Sequence, residues 1–121
     1  MLNEFFKDLK VVELASVLAG PAVGMFFAEL GAKVIKIENK KTGGDVTRHW
    51  KLPTENPEAS NSAYYCSVNY QKEVWMLNLT IQEDRNKALG AIIDADIVIS
   101  NFKRASATSL GMDYDAISTI N

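Results

Sequence analysis

The amino-acid sequence predicts an α/β fold with a Rossmann-like, mostly parallel sheet, its elements in the order β-α-β-loop-β-α-β. Two observations carry this prediction. Short runs rich in β-branched residues, typical of buried strands, alternate with segments of helical length and pattern. The first two runs are separated by a single helix-like segment, and such a strand–helix–strand unit is a right-handed parallel crossover.

The first unit is a strand, a helix and a second strand. The two strands are the β-branched runs at residues 10–15 (KVVELA) and 33–38 (KVIKIE). Between them, Pro21 suits the first turn of a helix that runs to Leu30, with Gly31 as its stop. The helix is apolar almost all round, so we expect it to be sandwiched against the sheet by Val23, Met25, Phe26, Phe27 and Leu30.

Residues 39–61 form a long loop, because both helical and strand periodicity stop there and glycines and prolines accumulate. Loops of this length in compact domains are usually functional or mobile. Its central stretch GGDVTRHW predicts an ion pair between Asp45 and Arg48 that pins the loop, with Trp50 as an apolar anchor. His49, the only histidine, has no nucleophile beside it in sequence and is not predicted to be catalytic.

The second half of the chain repeats the alternation. Residues 62–69 are ambiguous, 73–79 (EVWMLNL) form a third strand, and 96–100 (DIVIS) a fourth. Thr80 and Glu83 match a capping box that opens a helix between these strands. Its apolar face holds Leu89, Ile92 and Ile93, and two short helices follow Ala105 and Asp113. Four parallel strands with so few covering helices leave apolar faces without partners, so the fold is predicted to be incomplete without further chain.

Composition excludes several classes of protein. The chain has 121 residues, 47% of them hydrophobic, and a net charge of −2, so nothing marks it as a binder of nucleic acid or anionic membrane. The single Cys66 excludes an internal disulfide framework and a multi-cysteine metal site, which favours a cytoplasmic protein. The apolar stretch at residues 14–28 is too short to span a membrane and is interrupted by Gly20 and Pro21.

Besides the GGDVTRHW stretch, which is itself a candidate site as well as a pinned loop, two places are candidate ligand sites. The turn between the first strand and helix resembles a dinucleotide fingerprint, but Pro21 stands where a backbone N–H should meet phosphate, which disfavours NAD despite Glu38 at the end of the second strand. The second place follows the fourth strand, where ligands of open α/β sheets bind. It offers an amide, an aromatic ring and two cations: Asn101, Phe102, Lys103 and Arg104. No sequence motif of a catalytic or metal site is present.

Several segments, taken in order, resemble the class III (CaiB/BaiF-type) coenzyme A transferases, which include α-methylacyl-CoA racemases. They are VVELASVLAGP, AELGAKVIKIE, GGDVTRHW, the Asn69/Lys72 region leading into LNL, DADIVISNF and LGMDYDAISTIN. The resemblance implies a Rossmann-type large domain, two interlocked chains, and acyl-CoA thioesters as substrates. It also implies a catalytic aspartate that forms a mixed anhydride and then an aspartyl-CoA thioester, or acid–base residues in a racemase.

The resemblance also implies which residues contact the nucleotide of coenzyme A. These are Val17, Leu18, Ala19, Leu77, Thr80, Asn101, Phe102 and Lys103, to which the basic pair after the fourth strand adds Arg104. This chain departs from the family at three positions: Leu18 replaces a glutamine of the formyl-CoA enzymes, and Asn39 and Ser109 replace arginines that bind CoA phosphates. Lys40, Lys41 or Arg104 are the cations that remain to replace those arginines.

On this resemblance, residues 1–121 are the N-terminal part of a CoA-binding large domain, and the catalytic aspartate is expected downstream. The parent enzyme is expected to be a cytoplasmic homodimer that takes acyl-CoA and a carboxylic acid acceptor, with no metal and no prosthetic group. The chain by itself would then be inactive and would depend on a second copy or on the remainder of the protein. The alternatives are a racemase-type member and a non-catalytic CoA-binding or assembly module.

Overall fold

The structure is a computed structural model that describes residues 4–121. Its sheet contains β1 (Lys10–Leu14), β2 (Lys33–Asn39), β3 (Glu73–Leu77) and β4 (Ile97–Ser100). The strands lie in the order β3-β2-β1-β4, and all three pairings are parallel. The predicted Rossmann-like α/β fold is therefore confirmed.

Five α-helices connect and cover the strands within the described residues. They are α1 (Ala19–Glu29), α2 (Ala63–Asn69), α3 (Gln82–Ile93), α4 (Arg104–Leu110) and α5 (Tyr114–Ser118). The segment left ambiguous by its sequence is α2, and the Ser62 hydroxyl caps it by accepting a hydrogen bond from the Tyr65 N–H. In the same way, Asp113 caps α5 by accepting from the Ala116 N–H.

The two central strands, β1 and β2, are largely buried on both faces, which is why they read as nearly continuous apolar runs, whereas the edge strands β3 and β4 are mostly half-buried or exposed. Val11 and Val34 face α1 and pack on its Ala28. The alternate positions, including Val12, face α3 and pack on Ala88, Ile92 and their neighbours. This alternation follows from the two-residue period of a strand.

Helix α1 begins at Ala19 and has Pro21 in its first turn, as predicted. It differs from its prediction in how much of its surface is buried. Only one of its faces meets the sheet, so Met25 is buried while Val23 and Phe26 are 47% and 52% exposed. The expectation that the whole apolar surface of α1 is sandwiched is wrong.

Helix α3 begins without the predicted capping box. Ile81 is its N-cap and makes no side-chain cap bond, while the Thr80 hydroxyl donates to the Asn78 side-chain oxygen at 2.6 Å. The Asp84 carboxylate instead accepts from the Asn78 N–H at 2.8 Å. Ile92 is buried but Ile93 is exposed, because neighbouring helical residues point about 100° apart and only one of them can face the sheet.

The loop over residues 39–61 is mostly irregular, as predicted, but it contains two short 3-10 helices at Lys40–Thr42 and Val46–His49. The predicted pair between Asp45 and Arg48 is wrong, because each of these residues pairs with β2 instead. Trp50 is no buried anchor either: it is exposed and packs edge-on against Tyr64, with 5.2 Å between the ring centroids.

Candidate functional site

A cleft of about 700 Å³ opens at the carboxyl ends of β1, β2 and β3. We call it the carboxyl-edge cleft. Its walls are the end of β1, the first part of the 39–61 loop, the segment after β3, and the segment from Phe102 through α4. This is the edge at which open parallel sheets bind ligands.

The cleft has an apolar floor and a polar rim. The floor is formed by Ile37, Leu77, Leu79, Phe102 and Leu110. The rim carries Lys41, Thr42, His49, Asn78, Thr80 and Ser106. Lys41 is the one lysine or arginine among the lining residues of the described chain. A ligand that combines an aromatic ring with an anionic group fits this arrangement.

One wall of the cleft is the segment Ala15–Leu18, which we call the β1–α1 turn. Within it, Val17 has a φ of 72°, in the left-handed region that a β-branched residue rarely adopts. The left-handed conformation costs an L-residue about 1–2 kcal/mol. Such a conformation persists only where the surrounding contacts impose it, and such places cluster at functional sites.

Those contacts come from side chains remote in sequence. Asn101 spans the ends of β4 and β1: its amide oxygen accepts from the Ser16 N–H at 3.1 Å, and its amide nitrogen donates to the Ser16 carbonyl at 2.7 Å. The Val17 N–H donates to the Asp45 carboxylate at 3.2 and 3.4 Å. The Lys36 ammonium donates to the Ala15 carbonyl at 3.1 Å.

A buried charge cluster lies behind this turn. The Lys36 ammonium, with a fully buried side chain, is 3.0 Å from both Glu13 and Asp45. Lys72 is 2.7 Å from Glu13 and also donates to the Pro21 carbonyl at 2.7 Å. Two lysines therefore face two carboxylates, and within the described residues no buried side-chain polar atom lacks a partner. Burial lowers the pKa of Lys72, and the attraction of Glu13 offsets this only in part.

A second cluster joins β2 to the 39–61 loop and α2. Arg48 makes a bidentate ion pair with Glu38 at 2.7 and 2.8 Å and stacks on the Tyr65 ring, 3.9 Å from its centroid. Burial acts to raise the pKa of Glu38, but hydrogen bonds from Arg48, the Tyr65 hydroxyl and the Asp45 N–H outweigh it and hold that pKa below its ordinary value. Both oxygens of the Glu38 carboxylate therefore accept hydrogen bonds from other residues of the chain.

Asp45 serves both the charge cluster and the turn. Burial acts to raise its pKa, but hydrogen bonds from the Thr47 N–H and from Lys36 hold the pKa below its ordinary value. The carboxylate also accepts from the Thr47 hydroxyl at 2.9 Å. Asp45 is therefore a structural anion held by its neighbours, and it is not free to act as a nucleophile.

The structure brings some of the predicted contact residues together and leaves others apart. Leu77, Thr80 and Phe102 line the cleft. Val17 and Leu18 lie on the β1–α1 turn and Ala19 begins α1, but none of the three lines the cleft. The remaining three follow β4: Asn101 bonds to the turn, and Lys103 and Arg104 begin α4 with exposed side chains outside the lining.

Sequence reasoning missed several residues of the site. Among the three cations considered as replacements for the family's arginines, Lys41 lines the cleft, whereas Lys40 and Arg104 do not. Asn78, Ser106 and Leu110 line the cleft without having been predicted. The buried cluster did leave a signal, since Glu13 and Lys36 stand as charges inside two otherwise apolar strand runs.

Two classes of site find no support in residues 4–121. No group of three His, Cys, Asp or Glu residues is arranged there to hold a metal ion. Nor does this part of the chain contain a helix with the length and apolar character that crossing a membrane requires.

Known proteins resemble this chain over nearly its whole length. Residues 6–121 match the model of CoA-transferase family III. The succinate–glutarate CoA-transferase of Agrobacterium fabrum is 40% identical over 116 residues, covering 93% of this chain and 29% of that protein. The succinyl-CoA:mesaconate CoA-transferase of Haloarcula marismortui is 36% identical over 111 residues, covering 91% and 28%. A CaiB/BaiF family protein from Brucella suis superimposes with a TM-score of 0.81 at 37% identity, covering 93% and 30%.

The open parallel sheet with a cleft at its carboxyl edge first defines a class, the Rossmann-type α/β proteins. The family match then makes the assignment specific: the chain belongs to CoA-transferase family III. The chain spans less than a third of the length of the relatives described above.

Proposed function

We propose that this chain supplies the nucleotide-binding part of an enzyme that moves coenzyme A between carboxylic acids through acyl-CoA thioesters. The observation that carries the proposal is the carboxyl-edge cleft, which combines an apolar floor with a polar rim that carries Lys41, in a member of this family. The named relatives transfer CoA between dicarboxylic acids or their thioesters, which supports the same reaction class here.

In this proposal the adenine ring lies on the apolar floor against Leu77 and Phe102. The Thr80 hydroxyl lines the same space; its hydrogen is donated to Asn78, so it is proposed to accept a hydrogen bond from the ligand, and Lys41 meets a phosphate at the rim. Stacking on an aromatic ring and pairing with a cation are the usual ways of holding a nucleotide.

The nucleophile is proposed to lie outside the described residues. The carboxylates that are candidates by position are already engaged: Asp45 by Lys36 and the Val17 N–H, and Asp113 by the first turn of α5. The 121-residue chain is therefore proposed to bind CoA without transferring it. The homodimer and the cytoplasmic location stay predictions.

Calorimetric titration of the chain with three ligands tests the proposal. If the cleft recognises the nucleotide, CoA and adenosine 3′,5′-bisphosphate bind and compete with each other, whereas pantetheine does not bind. A chain that binds none of the three contradicts the proposal. Binding of pantetheine alone would contradict the assignment of the nucleotide to this cleft.

A variant pair assigns the binding to the cleft. Phe102→Ala removes the aromatic floor and is expected to weaken CoA binding about tenfold, since base stacking contributes about 1–3 kcal/mol. Tyr114→Ala is the matched control, because Tyr114 is an exposed aromatic residue outside the cleft. Urea unfolding curves of both variants show whether the change lies in binding or in folding. Equal affinities in the two variants would contradict the assignment.

A further inference from the structure

The β1–α1 turn is held by side chains at every polar backbone group from the Ala15 carbonyl to the Val17 N–H. Four groups lie in this stretch, and each has a side-chain partner. Lys36 holds the first, Asn101 holds both groups of Ser16, and Asp45 holds the last. Backbone turns usually satisfy such groups by bonding to other backbone groups or to water.

The strained Val17 explains why so many contacts are needed. A valine relaxes readily to a negative φ, because its branched Cβ collides with the backbone in the left-handed region. Its φ of 72° therefore depends on the contacts on either side of it. The Asn101 amide donates to the Ser16 carbonyl, in the peptide before Val17, and the Asp45 carboxylate accepts from the Val17 N–H.

The partners of the turn belong to the other walls of the cleft. Asn101 directly precedes Phe102 of the cleft floor, and Asp45 lines the cleft in the 39–61 loop. Ala15 and Ser16 line it from the side of the turn. The same bonds that impose the strained conformation therefore join three walls of one cleft.

We propose that Asn101 and Asp45 are positioning residues of the CoA site: their bonds to Ser16 and Val17 hold the strained β1–α1 turn in the conformation that walls the cleft. This inference rests on the proposed function. It assigns Asn101 a different role from direct contact with the nucleotide, because both polar atoms of its amide already bond to the Ser16 backbone. When either bond is lost, Val17 relaxes and the wall formed by the turn moves.

Rescue by glycine distinguishes positioning from direct contact. Asn101→Ala in the 121-residue chain is expected to weaken CoA binding about tenfold, the effect of losing hydrogen bonds of ordinary strength. Glycine adopts a positive φ without strain, so adding Val17→Gly to Asn101→Ala is expected to recover most of that loss. If Asn101 contacts CoA directly, the second substitution recovers nothing, and the inference is overturned.

Asn121→Ala is the matched control. The Asn121 amide also bonds to backbone carbonyls, those of Ile92 and Ala95 at 2.6 and 2.7 Å, but far from the turn. Asn121→Ala is expected to leave the affinity for CoA unchanged. It is expected to lower the free energy of unfolding about as much as Asn101→Ala does. A loss of CoA affinity as large as that of Asn101→Ala would mean that general destabilisation explains both, and would overturn the inference.

A readout without ligand separates this inference from the proposed function. In the wild-type chain, the amide hydrogens of Ser16 and Val17 are expected to exchange slowly, and in Asn101→Ala they are expected to exchange at least tenfold faster. If the wild-type chain protects these amides but does not bind CoA, the proposed function fails and the positioning role fails with it. If it binds CoA and the amides are unprotected, the inference alone fails.

Discussion

Lys36 shows how one buried charge can organise a fold. Its ammonium group has three acceptors at 3.0 to 3.1 Å: Glu13 of β1, the Ala15 carbonyl of the turn, and Asp45 of the loop. All three hydrogens of the ammonium group are thereby used. A buried charge that is paired and fully hydrogen-bonded is tolerated, whereas one that loses its partner is costly. Lys36 therefore ties three separate parts of the chain to one point.

Replacing Lys36 with methionine tests this role. Lys36→Met keeps the volume but leaves two buried carboxylates with one lysine fewer, so the free energy of unfolding is expected to fall by about 3–5 kcal/mol. Lys33→Met is the control on the same strand. Lys33 is exposed and 3.7 Å from Glu73, and an exposed ion pair contributes at most about 1 kcal/mol. Urea unfolding measures both variants, and equal losses would show that Lys36 has no special role.

Helix α1 packs closely on the sheet because of its glycines. A Cβ added at Gly24 would lie 1.9 Å from a Glu13 oxygen, and one added at Gly20 would lie 2.4 Å from the Ala15 Cβ. Glu13 cannot give way, because Lys36 and Lys72 hold both of its oxygens. The small residues that looked like a defective dinucleotide fingerprint are thus explained by packing.

Two glycine substitutions that are expected to change the free energy of unfolding in opposite directions test this account of the helices. Gly24→Ala is expected to lower the free energy of unfolding by about 1–3 kcal/mol, because the added methyl group overpacks the site. Gly90→Ala in α3 meets nothing within 4 Å and is expected to raise it by about 0.5–1 kcal/mol through reduced chain entropy. Thermal unfolding of the two variants checks the signs. A stable Gly24→Ala variant would mean that α1 lies farther from β1 than the structure has it.

The two charge clusters together make the stability of the whole molecule depend on pH. Glu38 and Asp45 have pKa values below their ordinary values of 4.5 and 3.8. A carboxyl whose pKa is lower in the folded state contributes stability above its unfolded pKa, and that contribution is lost as the pH falls toward the folded pKa. Both carboxylates connect the loop to β2 or to the turn, so acid acts on the same contacts that shape the cleft.

The free energy of unfolding is therefore expected to be nearly constant between pH 6 and 7 and to decrease as the pH falls below about 4.5. Glu38→Gln removes one of the carboxyl groups whose pKa is lowered in the folded state, so the unfolding free energy of this variant is expected to depend less steeply on acid pH. Glu58→Gln, at an exposed position of the 39–61 loop, is expected to keep the wild-type slope. Urea unfolding at half-unit pH steps gives the dependence of the unfolding free energy on pH for the wild type and the two variants. The same dependence in all three proteins would contradict the prediction.

Much of the architecture could be predicted from local pattern. The four strands agree within two residues of their ends, because buried parallel strands are marked by β-branched runs of their own. The start of α3 could not be predicted, since Asn78 and Thr80 bond to each other and leave Ile81 as the cap. Local sequence offers several competing caps, and tertiary packing selects one of them.

The sequence by itself determined the order of strands and helices along the chain, the parallel sheet and the family, because these follow from apolar periodicity and from residues read in order. Only the tertiary structure decided which charges pair and how the β1–α1 turn is held. Asp45 lies 28 residues from Val17, and Asn101 lies 85 residues from Ser16. Contacts between residues so distant in the chain depend on strand order and loop path. The cleft and its strained wall therefore exist only once the sheet has formed.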